Sequence, residues 1–221
     1  MSEEFLQRIR DRYEGEGGRR WERIETGLAK TYLEQNAVIG RKRVAELLPT
    51  RLDASNGTRI LDGGCGLGTV ARRLGERGAR VTGVDLVPSF VRRAASGTRE
   101  GRVRFLEGDL ADVVEDEPGG GRFDLLLLME VLEDYELPDR RNLMERVASA
   151  GIPRIFLVFR TPPSGLLGRL LPESAGGVID PIELLRWVHL NLPYRQRRQE
   201  VVHVRNYQVQ LSDLVLAETD P

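Results

Sequence analysis

Cysteine, histidine and lysine are almost missing from these 221 residues. The single cysteine, Cys65, excludes a disulfide framework, and only two histidines accompany it, which leaves no ordinary zinc constellation. No metal site is therefore expected. Lys30 and Lys42 are the only lysines among 33 basic residues; the rest are arginine, which reads first as codon bias. Those 33 face 34 acidic residues, a formal net charge of -1. A balance this even provides no general attraction to nucleic acid or anionic lipid. No apolar run is long enough to span a bilayer and no cleavable signal opens the chain. The expectation is a cytoplasmic protein without an integral membrane segment, and its length suits one domain with a full core.

What is present is an ordered alternation. Residues 2–49 read as polar helices, with Phe5, Leu6 and Ile9, then Trp21, Ile24 and Leu28, then Val38, Val44, Leu47 and Leu48 at helical spacing. "GEGG" at 15–18 predicts a break between the first two helices. From residue 58 strands and helices take turns: "TRILDG", "ARVTGVD", "VRFLEGD", "FDLLLLM" and "RIFLVF" as strands, with "TVARRLGER", "SFVRRAAS" and "DRRNLMERVAS" among the helices. The continuous apolar run of "FDLLLLM" is that of a strand covered on both faces. Strict alternation implies a parallel sheet with right-handed crossovers, a doubly wound α/β fold. The rhythm then stops. "TPPSGLLGRLLPESAGGVIDP" reads as mostly loop. "IELLRWVHLNL" reads as a helix capped by Asp180 with Pro181 at its first position, and the last two segments read as closing strands joined by a turn near Arg205 and Asn206.

The chemistry gathers around "ILDGGCGLG", residues 60–68. Its spacing is Gly64-x-Gly66-x-Gly68, with threonine at 69 where a dinucleotide fingerprint has its last glycine. Asp62 ends the first strand, Asp85 the second and Asp109 the third, so three carboxylates lie at the strand ends where open α/β sheets bind ligands. Phosphates would be repelled there, by a few kcal/mol per close pair on rough Coulomb estimates. A nucleoside carrying positive charge and no phosphate fits, and a sulfonium with an α-amino group is such a ligand. Each part also has a plainer reading: a Gly-rich turn, an Asp serving as helix cap, Cys65 as a small buried filler, Trp21 and Trp187 as packing residues, His189 as a surface residue.

"ILDGGCGLG…VTGVDL…FLEGDL…FDLLLLMEVLE" resembles the class I S-adenosylmethionine-dependent methyltransferases over about residues 58–160. The resemblance implies a Rossmann-like, mostly parallel seven-stranded sheet with a closing antiparallel strand pair. It implies an N-terminal helical lid over residues 1–50 and a core over 51–221. By that analogy S-adenosylmethionine is the cofactor, with Asp62, Gly64, Gly66 and Gly68 around its methionine part. Asp85 and Leu86 would meet the ribose, Asp109 and Leu110 the adenine, and Met129 the sulfonium region.

The flanks resemble magnesium-protoporphyrin IX methyltransferases of chlorophyll biosynthesis: "GRRWERI", "EQNAVIGRKRV", "MEVLEDY", "FRTPPSGLLGRLLP" and the final strand pair. A small-molecule methyl acceptor is implied, and Tyr13, Asp134 and Tyr135 are the candidate catalytic residues. One position departs: the family carries histidine where this chain has Asp134. A propionate is already ionised at pH 7 and needs no base, whereas a phenol with a pKa near 10 would benefit from one. The departure therefore weighs more against phenol or quinol methylation than against carboxylate methylation. A nicotinamide oxidoreductase is the enzymatic alternative, but no Tyr-x-x-x-Lys follows; a binding module that kept the cofactor pocket without turnover is the other.

Overall fold

The computed structural model describes residues 2–98, 101–115, 123–161, 179–204 and 207–217. Three helices open the chain: α1 (Glu3–Glu14), α2 (Glu16–Thr26) and α3 (Tyr32–Arg51). The alternating section follows as β1 (Arg59–Gly63), α4 (Thr69–Glu76), β2 (Arg80–Asp85), α5 (Pro88–Ser96), β3 (Val103–Glu107), α6 (Leu110–Glu115) and β4 (Leu125–Met129). After a 3-10 turn at Leu132–Asp134 come α7 (Leu137–Ser149), β5 (Arg154–Arg160), α8 (Pro181–Asn191), β6 (Tyr194–Val204) and β7 (Tyr207–Leu216). The seven strands form one sheet in the order β3-β2-β1-β4-β5-β7-β6. The first five are parallel, and β7 and β6 close the edge in antiparallel pairing. The order reverses between β1 and β4, the switch point where a sheet of this kind opens a crevice at the carboxyl ends of its strands.

The apolar run in β4 is explained by burial on both sides. Leu126 and Leu128 join Leu61, Val84 and Leu157 in one core cluster, while Leu125, Leu127 and Met129 join Ile60, Val81 and Phe156 in the other. Helices α6, α7 and α8 cover the first face, and α3 and α4 the second. The first face also receives Phe5, Leu6 and Ile9 of α1, each worth about 1.5–3 kcal/mol when fully buried. Val44, Leu48 and Leu52 from the α3 region do the same on the second face. Helices α1 and α3 thus share the cores of the sheet they cover.

The break in "GEGG" is narrower than its four residues suggest. Only Gly15 lies outside the helices, and Gly17 and Gly18 belong to α2. Their absent side chains serve a close crossing instead: a Cβ on Gly18 would sit 1.6 Å from the Tyr13 carbonyl oxygen. At α8 the expected cap is present, with Asp180 accepting from the backbone N–H groups of Ile182 and Glu183. The segment "TPPSGLLGRLLPESAGG" beyond Thr161, the "EDEPGGG" connection after Glu115 and the turn at Arg205 and Asn206 lie outside the described residues.

Candidate active site

The loop after β1 rises from a strand and falls into a helix, and its glycines are required by conformation. Gly64, Gly66 and Gly68 have φ of 65°, 53° and 74°, a region that residues with a Cβ rarely adopt. Close neighbours add a second reason. A Cβ on Gly64 would meet Val131 at 2.5 Å, and one on Gly66 would meet the Trp21 indole Nε1 at 3.0 Å. Gly68 is the residue before α4, and a Cβ there would meet Phe105 of β3 at 2.4 Å. It supplies the close helix-to-sheet packing that a dinucleotide fingerprint assigns to a glycine one position later.

Asp62, Asp85 and Asp109 come together at the carboxyl ends of β1, β2 and β3, and all three are buried. Asp85 fastens the loop, accepting from the N–H of Gly66 at 2.8 Å and of Val87 at 2.9 Å. Asp109 accepts from the N–H of Ala111 at 3.0 Å and so also caps α6. Asp62 has no such support: its Oδ2 is buried without a hydrogen-bond partner. Burial pushes all three carboxyls above their ordinary range, and Asp62, with Glu25 and Asp85 adding repulsion, reaches about 7. Three buried acids held at this expense favour a cationic neighbour. Cys65 packs against Gly83, and burial pushes its thiol up, away from nucleophilic use.

A cleft over the loop is lined by Gly64, Gly66, Asp85, Leu86, Leu110 and Met129 below, and by Ile9, Tyr13, Trp21, Asp134 and Tyr135 on its upper walls. Asp62, Gly68 and Asp109 stand behind this lining. Among the described residues that line it, Asp85, Glu130 and Asp134 carry charge and none is a cation. Next to it lies a second cavity that shares Tyr13, Trp21, Glu130 and Asp134 as a common wall. Its other lining residues include Arg12, Arg20, Arg41 and Arg160. Four arginines and two acids line it, while Glu34, Glu25 and Glu133 pair with Arg20, Arg41 and Arg160 from outside the lining. Guanidinium groups thus line the second chamber and are absent from the described lining of the first.

The common wall is tied together by hydrogen bonds. Tyr13 Oη donates to Asp134 Oδ2 at 2.6 Å and Arg12 Nη1 donates to Asp134 Oδ1 at 2.8 Å. Burial and the adjacent Asp134 raise the Tyr13 phenol, so it stays protonated and donates. Tyr135 is buried against Phe5 with ring centroids 4.9 Å apart, and burial raises it too. Arg41 of α3 bridges Glu25 of α2 and Glu130 after β4, and its guanidinium lies 4.0 Å from the Trp21 ring centroid. Glu130 holds this position with φ of 56°, unusual for a residue with a side chain.

Motif reading reached Tyr13, Asp134, Tyr135 and the loop but not Arg41, Glu25 or Arg160. The acid at the carboxyl end of β4, Glu130, was a signal that could have been followed; the arginines sat among too many others. Trp21 packs, as expected, and does so over the glycine loop itself. Trp187 lies outside the cleft, under Arg141. His189 and His203 are exposed. Residues 179–190 of the C-terminal part contribute no lining to the cleft. Among the described residues no group of three or more His, Cys, Asp or Glu is placed to hold a metal ion. No described helix is long and apolar enough to cross a membrane.

Comparison with known proteins gives the site its setting. Residues 60–152 match a family model described as a methyltransferase domain. The magnesium-protoporphyrin O-methyltransferase of Rhodobacter capsulatus is 30% identical over 183 residues, covering 77% of this chain and 79% of that protein. The chain belongs to the class I S-adenosylmethionine-dependent methyltransferases. A ubiquinone biosynthesis O-methyltransferase of Xanthomonas campestris is 32% identical to this methyltransferase over 171 residues, 67% of this chain and 70% of that protein. The fold of the methyltransferase matches the crystal structure of magnesium protoporphyrin IX methyltransferase from Synechocystis with bound S-adenosylhomocysteine. That match has a TM-score of 0.81 at 22% identity, covering 96% of this chain and 99% of the other. S-adenosylmethionine is the cofactor of the methyltransferase, and both curated relatives make the reaction an O-methylation.

Proposed function

We propose that this O-methyltransferase esterifies a carboxylate of an anionic small molecule, of the kind represented by a propionate of magnesium protoporphyrin IX. The observation that supports this most directly is the change of lining across the common wall: an acid-lined chamber suited to a sulfonium beside an arginine-lined chamber suited to an anion. S-adenosylmethionine supplies the electrophilic methyl group. The orphaned Oδ2 of Asp62 fits the α-ammonium of that cofactor, and Asp85 and Asp109 fit its ribose and adenine.

The wall between the chambers offers no free base. Both oxygens of Asp134 already accept, from Tyr13 and Arg12, and Tyr13 stays a phenol. A carboxylate acceptor needs no proton removed, so alignment and exclusion of water supply the catalysis. Tyr13, held by Asp134, orients the acceptor oxygen, and Tyr135 closes the apolar side. The N-terminal helices act as the lid, because α1 and α2 carry Tyr13 and Trp21 over the cleft. The test is incubation with S-adenosylmethionine and magnesium protoporphyrin, followed by mass spectrometry. A monomethyl ester is expected. Methylation of a quinol or catechol with no ester formed would favour the second reading, which the Xanthomonas relative supports.

A further inference from the structure

The second cavity is lined by a guanidinium whose Nε donor is not used. Arg160 closes β5, and its backbone N–H donates to Glu133 Oε1 at 2.7 Å. Its side chain lines the cavity together with Arg12, Arg20 and Arg41. Arg12 is engaged by Asp134 and Arg41 by Glu25 and Glu130. Arg20 is half exposed and reaches only Glu34, at 3.8 Å. Arg160 differs from these in that its Nε is shielded from water and has no hydrogen-bond partner. The nearest acid oxygen, Glu133 Oε1, lies 3.8 Å away, too far for a hydrogen bond, and accepts the Arg160 backbone N–H instead. A buried donor left without an acceptor costs about 1–3 kcal/mol, so such groups call for an explanation.

Glu133 stands within ion-pair range of this guanidinium but makes no side-chain hydrogen bond to it. It is buried, its Oε2 is also unpartnered, and burial pushes its carboxyl up to about 7. The field of Arg160 also reaches Tyr13, easing ionisation of the phenol against the opposing effects of burial and Asp134. Arg160 therefore stands near the common wall while facing the arginine-lined chamber. A guanidinium in that position presents a planar fork suited to a carboxylate.

We propose that Arg160 binds a second carboxylate of the acceptor, distinct from the one that receives the methyl group, and so selects dicarboxylic over monocarboxylic acceptors. This rests on the carboxylate reading above and adds to it a residue and a requirement on the substrate. The second carboxylate would meet the part of the guanidinium that remains exposed along the cavity, where Glu133 makes no hydrogen bond to it. It would also anchor the far end of a rigid acceptor, so that the reacting oxygen is held at the wall by geometry.

The experiment titrates protein saturated with S-adenosylhomocysteine and follows quenching of tryptophan fluorescence. The probes are magnesium protoporphyrin, its monomethyl ester and its dimethyl ester. Wild type is expected to bind the diacid about tenfold more tightly than the monoester, a difference typical of one charge-assisted bidentate contact. Arg160→Gln should bring the two within about twofold, and Arg160→Lys should fall between. In turnover Arg160→Gln should raise KM for the diacid and leave kcat nearly unchanged. Calorimetry with S-adenosylhomocysteine should give wild-type affinity in both variants, which shows that they are folded. Full retention of the diacid preference by Arg160→Gln overturns the proposal, as does its absence in wild type or failure of the diacid to bind. Mass spectrometry separates the two ideas. A preference without ester formation removes the proposed reaction and keeps the anion site; ester formation without a preference removes only the role of Arg160.

Discussion

At the scale of single residues the clearest pH dependence belongs to Asp62. An acid whose pKa rises on folding holds its proton more tightly in the folded chain. Its contribution to stability is therefore fully present below the unfolded value near 4 and lost as pH climbs to about 7. Ligand-free Asp62→Asn should accordingly melt at a higher temperature than wild type at pH 8 and show little gain near pH 4. The same variant should bind S-adenosylhomocysteine about tenfold more weakly, the loss expected for one charge-assisted hydrogen bond. In wild type that affinity should rise between pH 6 and pH 7.5 as Asp62 ionises, and Asp62→Asn should lose the rise. Calorimetry across this range decides it, and a flat wild-type profile would remove the ammonium partner assigned to Asp62. Tyr13→Phe tests the wall. Loss of its bond to Asp134 should lower kcat about tenfold and stability by roughly 1 kcal/mol.

At the scale of elements, the crossing of α1 and α2 sets where Tyr13 and Trp21 point. Two glycines inside α2, at 17 and 18, let the helix backbone pass close over the end of α1. This was half legible: the cluster marked a break, but glycine's role as spacer depends on a neighbouring helix that the local pattern does not reveal. Gly18→Ala should displace α2, moving Trp21 off Gly66 and Tyr13 off Asp134. The expected result is weaker S-adenosylhomocysteine binding and a melting temperature lower by roughly 2–4 °C for each kcal/mol lost in a chain of this size. Unchanged values in both would show that the crossing does not position the lid. The strands were read more securely, since each apolar run is short, bounded and buried. β4 shows why: its alternate side chains feed two different cores, so nearly any polar residue there would be buried.

At the scale of the whole molecule a net charge of -1 conceals a separation of charge. Acids collect over the parallel strand ends and arginines in the neighbouring chamber, so a composition that excludes general polyanion binding is compatible with a local anion site. Acceptor binding should weaken as salt rises from 50 mM to 500 mM, because the chamber is partly open to solvent and its field is screened. S-adenosylhomocysteine at about a hundred times its dissociation constant should add about 2.7 kcal/mol to stability, a melting shift of roughly 5–10 °C. Scanning fluorimetry checks this, and no shift at saturation would contradict binding to the folded state.

The order of strands and helices, the glycine loop and the three aspartates at strand ends were all present in the linear chain, because each depends on residues close together. Hydrophobic period, turn chemistry and strand termination are local properties, and a parallel sheet follows from them with few choices left. The pairing of Tyr13 with Asp134, the Arg41 bridge and the idle guanidinium of Arg160 join residues that lie far apart along the backbone. In a chain with 33 basic residues, 31 of them arginine once Lys30 and Lys42 are set aside, nothing local distinguishes those that reach the second cavity. Packing makes that distinction, by burying some guanidinium groups against carboxylates and leaving the Nε of Arg160 without an acceptor beside the second cavity.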